Sequence, residues 1–479
     1  MNRRSHIIAF WGILAAGAAA HVVFWLSKEG MHYPDEIFQY IEPAFVRING
    51  FGWLPWEFNR GVRNWSLIAV YGGWMKMFMA FGAEGYWLHK LIGLHNTLLA
   101  LAIVPAALRI GRHFAGETGG WTAAALAALF PPIIYFTPHP LSEVPSMVLS
   151  TWGLVMWLEG RGTDREKKFA FLAGMLLGFS VVARFFSGVL LIVPAIDYLA
   201  RLFKKNRGFA WFVLGGLVPL AVLAISDWLT WGIPLHSAIE YFRYNILEWG
   251  NADHGTSPWW MYFSWMLERL NWGLIVFLPF FVIGTWRTRL LTAANALALV
   301  ALTFISHKEE RFLLGLWPLF IITFSVGVGQ VAEWMRGRRL PAIVMASACG
   351  IALMTAGSFG VKTLEWHWLR GYFEAQDFVG RQNDASGCMF SGRLHLSGGA
   401  VYINRNIPMD SYQLKLSRNP LFNYFIFKDN SSDARMARSR KWEELEKFDD
   451  IVVFRKQDKP VPGSTSPINW KQKGPALKK

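Results

Sequence analysis

Two long apolar runs, residues 290–306 and 313–331, are separated by His307-Lys308-Glu309-Glu310-Arg311-Phe312. Five consecutive ionisable side chains do not belong in a hydrocarbon core, where each Lys, Arg or Asp at a helix centre costs roughly 2.5–3.5 kcal/mol. The segment must therefore sit at a membrane edge or line a wet cavity, and ionisable groups in such places are functional candidates. Read alone, it is also a plain hydrophilic turn between two helices. Its company elsewhere in the chain decides between the two.

The chain has 479 residues, 53% hydrophobic and only 17% charged, with 25 Trp and 37 Phe, a composition that points to a polytopic membrane protein. A net charge of +15 would suit a nucleic-acid binder. Here the positive residues fall mostly in short loops between apolar runs, so topology explains them and no nucleic-acid partner is expected. Two cysteines, Cys349 and Cys388, exclude a disulfide-rich framework.

Hydropathy marks spans at about 7–26, 87–108, 119–137, 143–158, 169–187, 188–200, 209–230, 272–286, 290–306, 312–333 and 340–361, with 169–187 and 188–200 poorly separated. With about 11 transmembrane helices, every positive cluster falls on one side: Arg3 and Arg4; Arg109 and Arg112; Arg161, Arg165, Lys167 and Lys168; Arg201, Lys204, Lys205 and Arg207; Arg287 and Arg289; Arg336, Arg338 and Arg339. The positive-inside rule makes that side cytoplasmic. The consistency requires residues 64–82, though apolar, to lie at the outer interface rather than cross. Segments 27–86, 138–142, 231–271 and 307–311 and the polar C-terminal region then lie outside. Residues 7–26 are read as an uncleaved anchor, being long for a signal peptide.

Three regions follow. Residues 1–361 form the transmembrane part, 362–456 a small α/β domain on the non-cytoplasmic side, and 457–479 a Pro-, Gly-, Lys- and Ser-rich tail expected to be disordered. In the small domain, 422–427 and 450–455 read as strands and 434–448 as a charged helix. Its polar and aromatic residues include Arg393, His395, Tyr402 and Tyr412. Arg184 and Asp197, in or near apolar runs, are read as edge or paired residues with no assigned role.

The first outer loop runs His32-Tyr33-Pro34-Asp35-Glu36-Ile37-Phe38-Gln39-Tyr40-Ile41-Glu42-Pro43. Pro34 keeps the chain extended, and Asp35 is well placed to cap the following helix. The functional alternative is a carboxylate held outside the membrane that takes a proton from an attacking sugar hydroxyl. Trp56-Glu57, Arg60 and Arg63 follow. The long loop carries Asn251-Ala252-Asp253-His254-Gly255-Thr256-Ser257-Pro258-Trp259-Trp260, which reads either as a Gly/Pro turn with interface Trp residues or as an aromatic wall for a sugar or isoprenoid chain.

In their order these patches resemble the polyprenyl-phosphate-mannose-dependent mannosyltransferases of glycosyltransferase family 22. The resemblance rests on Tyr33 to Pro43 with Trp56-Glu57 and Arg63; on Asp227 to Gly232, Tyr244-Asn245 and Gly255 to Tyr262; and on His307 to Phe312, the family's hallmark. It spans residues 33–312. Thr137 to Glu143 departs from the family pattern, and the C-terminal region is unmatched.

The resemblance implies an all-α membrane GT-C fold with its active site facing away from the cytoplasm, towards periplasm or lumen. The membrane is read as a bacterial inner membrane, with the endoplasmic reticulum as the alternative. The resemblance also implies a mannosyl-phosphate donor on a long isoprenoid and transfer with inversion. The acceptor is read as a glycolipid or lipid-linked glycan. Asp35 is then the general base, with Glu36 the next candidate. His307, Lys308 and Arg311 hold the donor phosphate, helped by Arg63. Glu309, Glu310, Trp56 and Glu57 support them. Tyr244, Asn245, Thr256, Trp259 and Trp260 wall the substrates and lipid.

No cofactor or metal is expected: Asp-x-Asp, Walker and Gly-x-Gly-x-x-Gly motifs are lacking, and cationic side chains can hold a monophosphate leaving group. The competing readings are a flippase for a lipid-linked sugar, which should carry polar residues and broken helices at mid-membrane, and a GT-C transferase for a different sugar.

Overall fold

The computed structural model describes residues 3–202, 208–250, 252, 255–335, 339–362, 364, 369–392, 398–414 and 416–456. The expected tail at 457–479, Asn251, Asp253, His254, Arg393, His395 and the basic residues Lys204, Lys205, Arg207, Arg336 and Arg338 lie outside them. The fold is mostly helical, with one small mixed sheet. Apolar runs become helices because only internal backbone hydrogen bonding is available where water is excluded.

Among the described residues, six helical stretches are long and apolar enough to cross a membrane: Arg3–Ser27, Tyr86–Phe136, Phe185–Leu202, Gly208–Trp231, Met261–Thr285 and Leu340–Val361. Each of the other expected spans also carries helix, in Glu143–Gly160, Glu166–Ala183, Arg289–Phe304 and Trp317–Trp334. Between 86 and 136 a break falls within the interval expected between the spans 87–108 and 119–137. The helix continues through Arg109 and Arg112 and turns at Ala115 and Gly116, where Gly116 adopts φ 58°, a conformation open to glycine. The poorly separated pair is parted by Arg184, whose extended backbone ends one helix before the 3-10 turn Phe185–Gly188. Residues 64–82 give the 15-residue helix Ser66–Ala80, roughly 22 Å long and short of a typical hydrocarbon core.

The chain divides into two compact units. One comprises 1–25, 94–138 and 142–364; the other comprises 26–93, 139–141 and 365–479. The C-terminal residues thus share a unit with the first loop, beyond the division expected at 361/362.

In the first unit, helices Glu166–Ala183 and Gly208–Trp231 pack through a reciprocal glycine contact. A Cβ on Gly174 would strike the Phe212 carbonyl, and one on Gly215 the Phe171 carbonyl, the close backbone approach by which small residues join membrane helices. Asp197 is paired, accepting from Trp157 Nε1 at 2.9 Å, Arg161 Nε at 3.1 Å and Arg201 Nη2 at 2.9 Å.

In the second unit, strands β1 (Cys388–Phe390), β2 (Met409–Ser411), β3 (Tyr424–Lys428), β4 (Glu443–Phe448) and β5 (Ile451–Arg455) form a sheet ordered β2-β1-β3-β5-β4. The β2/β1 and β1/β3 pairs are parallel; β3/β5 and β5/β4 are antiparallel. Phe425, Phe427, Val452 and Phe454 pack against Ala434 and Ala437 of helix Ser432–Ser439. The strands expected at 422–427 and 450–455 are present. The helix expected over 434–448 is not: it ends at Ser439, Lys441 turns the chain at φ 57°, and 443–448 pairs with β5 as strand β4. The repeated Glu and Lys residues mark the solvated face of an edge strand, which charge composition alone does not separate from a helix face.

Candidate active site

The first group of site residues lies in the second unit. Tyr33 and Pro34 start a turn closed by Glu36 N to Tyr33 O at 3.0 Å and Ile37 N to Pro34 O at 3.1 Å, leading into a π-helical turn, Glu36–Ile41. Such turns recur at functional sites. The expected cap does not form: Asp35 is itself helical, φ −60° and ψ −26°, and makes no side-chain cap bond, because a capping residue needs a non-helical backbone. Asp35 stays half-buried.

Glu36 takes the structural role instead. Fully buried, it accepts from Lys28 Nζ at 3.0 Å, His32 N at 2.7 Å, Tyr33 N at 3.0 Å and His139 Nδ1 at 2.7 Å, with His89 Nε2 3.3 Å away. Burial pushes its carboxyl up, but its partners outweigh burial and hold it well below the ordinary carboxylate range. Burial also holds His139 down to about 4. Lys28 places its ammonium against the other carboxylate oxygen of Glu36. Glu57 is buried, accepts from Gln39 Nε2 at 3.2 Å and lies 3.8 Å from Arg63 Nη2. Burial, joined by the charge of Asp35, pushes its carboxyl up. Trp56 is exposed. Glu42, not chosen from sequence, is fully buried and accepts from Trp53, Ala400 and Val401 N–H groups at 2.9, 3.0 and 3.0 Å; burial pushes its carboxyl to about 7.

The second group lies in the first unit. After Ile305 leaves the helix, residues 307–311 fold back on their own carbonyls and acids. His307 Nε2 meets Glu309 Oε1 at 3.1 Å, and its Nδ1 meets Gly255 O at 3.3 Å; the Glu309 bond raises His307. Lys308 is buried, bonds Ile305 O and Ser257 O and lies 6.0 Å from the Tyr262 ring, and burial lowers its ammonium. Arg311 is buried, bonds Glu309 and lies 3.3 Å from Glu143 Oε1. Burial opposes ionisation of Glu309, yet the Arg311 charge brings it down to about 2. Glu310 is spent on a two-pronged pair with Arg269, and burial pushes its carboxyl up.

Sequence reasoning missed three partners here. Arg184 Nη1 binds the same Glu143 Oε1 at 2.7 Å and lies 4.4 Å over the Phe312 ring; Glu143 and Arg269 complete the set. The signal for Arg184 was its charge beside an apolar run, and for Glu143 its place in the stretch that departs from the family pattern.

The long-loop residues divide. Tyr244 is buried and bonds its own loop at Gly250 O, 2.7 Å away, while Asn245 bonds Tyr241 O at 2.9 Å. Thr256, Trp259 and Trp260 are exposed. Among the described residues no cluster of three or more His, Cys, Asp or Glu is placed to hold a metal ion.

A mostly helical membrane fold with a small C-terminal mixed sheet defines the class of GT-C glycosyltransferases. The fold is similar to that of ArnT from Cupriavidus metallidurans bound to undecaprenyl phosphate, with TM-score 0.61, 12% identity and coverage of 97% of this chain and 100% of that one. The chain belongs to the Alg9-like mannosyltransferase family, whose model matches residues 13–362. Among its relatives, GPI mannosyltransferase 3 of Yarrowia lipolytica is 24% identical over 412 residues, covering 83% of this chain and 76% of that protein. GPI alpha-1,2-mannosyltransferase 3 of Xenopus laevis is 25% identical over 318 residues, covering 63% of this chain and 57% of that protein. The match thus spans little more than half of the Xenopus relative.

Proposed function

We propose that this protein moves a mannosyl residue, with inversion, from a polyprenyl phosphate to a glycolipid or lipid-linked glycan on the non-cytoplasmic face of its membrane. Family membership supports the sugar, and the relatives named as GPI mannosyltransferases favour a glycolipid acceptor. The topology that goes with this reading has about 11 spans and leaves residues 64–82 at the outer interface.

The observation that carries the reading is the cation set around Glu143. Arg311 and Arg184 meet at one carboxylate oxygen, and Lys308 lies in the same short segment as Arg311. Negative charge grows on the phosphate as the glycosidic bond breaks, and cations fixed in place stabilise that state more than the ground state. Asp35 is the proposed base. Glu36 is saturated by donors and fully buried, so the half-buried neighbour is the carboxylate suited to an incoming hydroxyl.

Membranes containing the protein, supplied with radiolabelled polyprenyl-phosphate-mannose, test the reading. Label appearing in an extractable glycolipid or glycan supports it. Label that crosses the membrane with its donor unchanged assigns the protein to lipid-linked sugar transport instead.

A further inference from the structure

The second unit holds a cavity of about 730 Å³, a size typical of small-molecule and cofactor sites. Its wall is built from two distant parts of the chain, residues 26–90 and 370–404. The turn at Gly82 and Gly85 brings main chain to the wall. Gly85 has φ 53°, and a Cβ there would lie 3.5 Å from Asp377 Oδ1 and Tyr402 O.

The lining is polar and nearly balanced in charge. Its cations are already committed. Lys90 Nζ bonds the Leu26 and Lys28 carbonyls, Arg370 pairs with Asp449 and Glu29, and Arg381 pairs with Asp377 at 2.6 Å. Of the lining acids, Glu29 and Asp377 are used in those pairs, while Glu84 and Glu374 are less committed. Glu84 makes no ion pair among the described residues, and Glu374 has only Arg370, 3.8 Å away. A free anion would meet those carboxylates with no uncommitted cation to hold it, and a strong cation would compete with the existing pairs. A neutral ligand rich in hydroxyl donors fits both constraints.

Two further observations point to the same ligand. The Tyr86 hydroxyl is buried and has no hydrogen-bond partner among the described residues, an unsatisfied polar group of the kind a ligand commonly completes. Tyr86 also stacks on the buried Phe373 with ring centroids 5.1 Å apart, which holds its half-buried ring in the cavity wall as an aromatic surface for the C–H groups of a pyranose. At the rim, Leu26 and Trp87 are 56% and 59% exposed, and Phe81, next to Gly82, is 85% exposed. Tyr86 begins a stretch long and apolar enough to cross a membrane. The polar cavity therefore opens beside an apolar margin at a membrane surface.

We propose that this cavity binds the sugar headgroup of a membrane-borne glycolipid, with the lipid leaving past Leu26, Phe81 and Trp87. Resting on the transfer reaction proposed above, it assigns the cavity to the acceptor glycan.

The test uses the full chain in lipid nanodiscs with octyl α-mannotrioside as probe. Binding is read by saturation-transfer NMR and titration in the wild type and in Glu84→Gln, Glu374→Gln and Tyr86→Phe, with melting temperature as the fold control. The two exposed carboxylates allow substitution without disturbing the core. The expected result is saturation of sugar protons in the wild type and about 10-fold weaker binding in Glu84→Gln and Glu374→Gln, the worth of a lost charge-assisted hydrogen bond. With labelled donor and extracted glycolipid, acceptor KM rises in the variants while donor KM and kcat hold. Unchanged probe affinity and acceptor KM in all three variants overturn the assignment, as does equal saturation by octyl glycerol, which has no sugar. Absence of label transfer by the wild type refutes the transferase reading instead and leaves the mapped sugar binding intact.

Discussion

His139 Nδ1 lies 2.7 Å from Glu36 Oε1, joining two residues 103 positions apart in one buried bond. Lys28 holds the other oxygen at 3.0 Å, and the N–H groups of His32 and Tyr33 close the turn beneath Asp35. The backbone carrying the proposed base is therefore fixed by its neighbour.

Lys28→Ala removes one partner of a fully buried ion pair, which typically costs 3–5 kcal/mol. We expect a loss of about 3 kcal/mol and a clearly lower melting temperature in detergent, with His139→Ala less severe. Glu36 titrates below its ordinary value of 4.5 in the folded chain. Its contribution is thus complete above that pH and fades as the solution is acidified through the folded value. Equal melting of wild type and Lys28→Ala at pH 7 would contradict the network.

Glu42 behaves with the opposite sign. Its carboxyl is raised from 4.5 to about 7, so between those values the folded chain keeps a proton that the unfolded chain releases. Stability falls as pH rises across this window, by about 3 kcal/mol in total, and levels off above it. Glu42→Gln flattens that dependence even while it weakens the bonds to Trp53, Ala400 and Val401. Melting curves from pH 4.5 to 8 for both proteins give the comparison, and parallel curves rule the assignment out.

Arg311 and Arg184 share Glu143, so the cluster is sensitive to shape as well as charge. Arg311→Lys keeps the charge but loses the planar fork, and we expect a fall in kcat of at least about 10-fold. Glu143→Gln leaves two guanidinium groups beside an uncharged amide, and donor KM rises with it. Steady-state kinetics at several donor concentrations separate the two, and wild-type values in both variants remove the cluster from the reaction.

Activity is expected to survive excess EDTA, because the proposed stabilisation of the leaving phosphate comes from Lys308, Arg311 and Arg184. Loss of activity on chelation, restored by Mg²⁺ or Mn²⁺, assigns the Asp35 and Glu36 region to metal binding.

Local features were legible in the sequence, while their partners were not. The charged segment at 307–312 stood out because five ionisable residues interrupt an apolar run. The strands at 424–428 and 451–455 were visible as short β-branched and aromatic segments. Glu36 was visible as half of a carboxylate pair, but its role depends on His139, Lys28 and His89, brought together only by tertiary folding. Glu143 and Arg184 were hidden for the same reason. Strand β4 was misread because a charged edge strand and a charged helix share composition, and the turn at Lys441 has no distinctive residue. The break at Gly116 lies within the interval 109–118 that the sequence left between two spans, although Arg109 and Arg112 at the start of that interval are still helical.

The most direct measurement is mannosyl transfer by purified Asp35→Asn at saturating donor, beside the wild type and Glu36→Gln. The account predicts that Asp35→Asn keeps its melting temperature and donor KM but loses about 100-fold or more in kcat, the usual worth of general base catalysis. It predicts that Glu36→Gln loses stability first, because its side chain anchors the turn. Near wild-type turnover in Asp35→Asn, with turnover abolished in a folded Glu36→Gln, would contradict the account and move the base to Glu36.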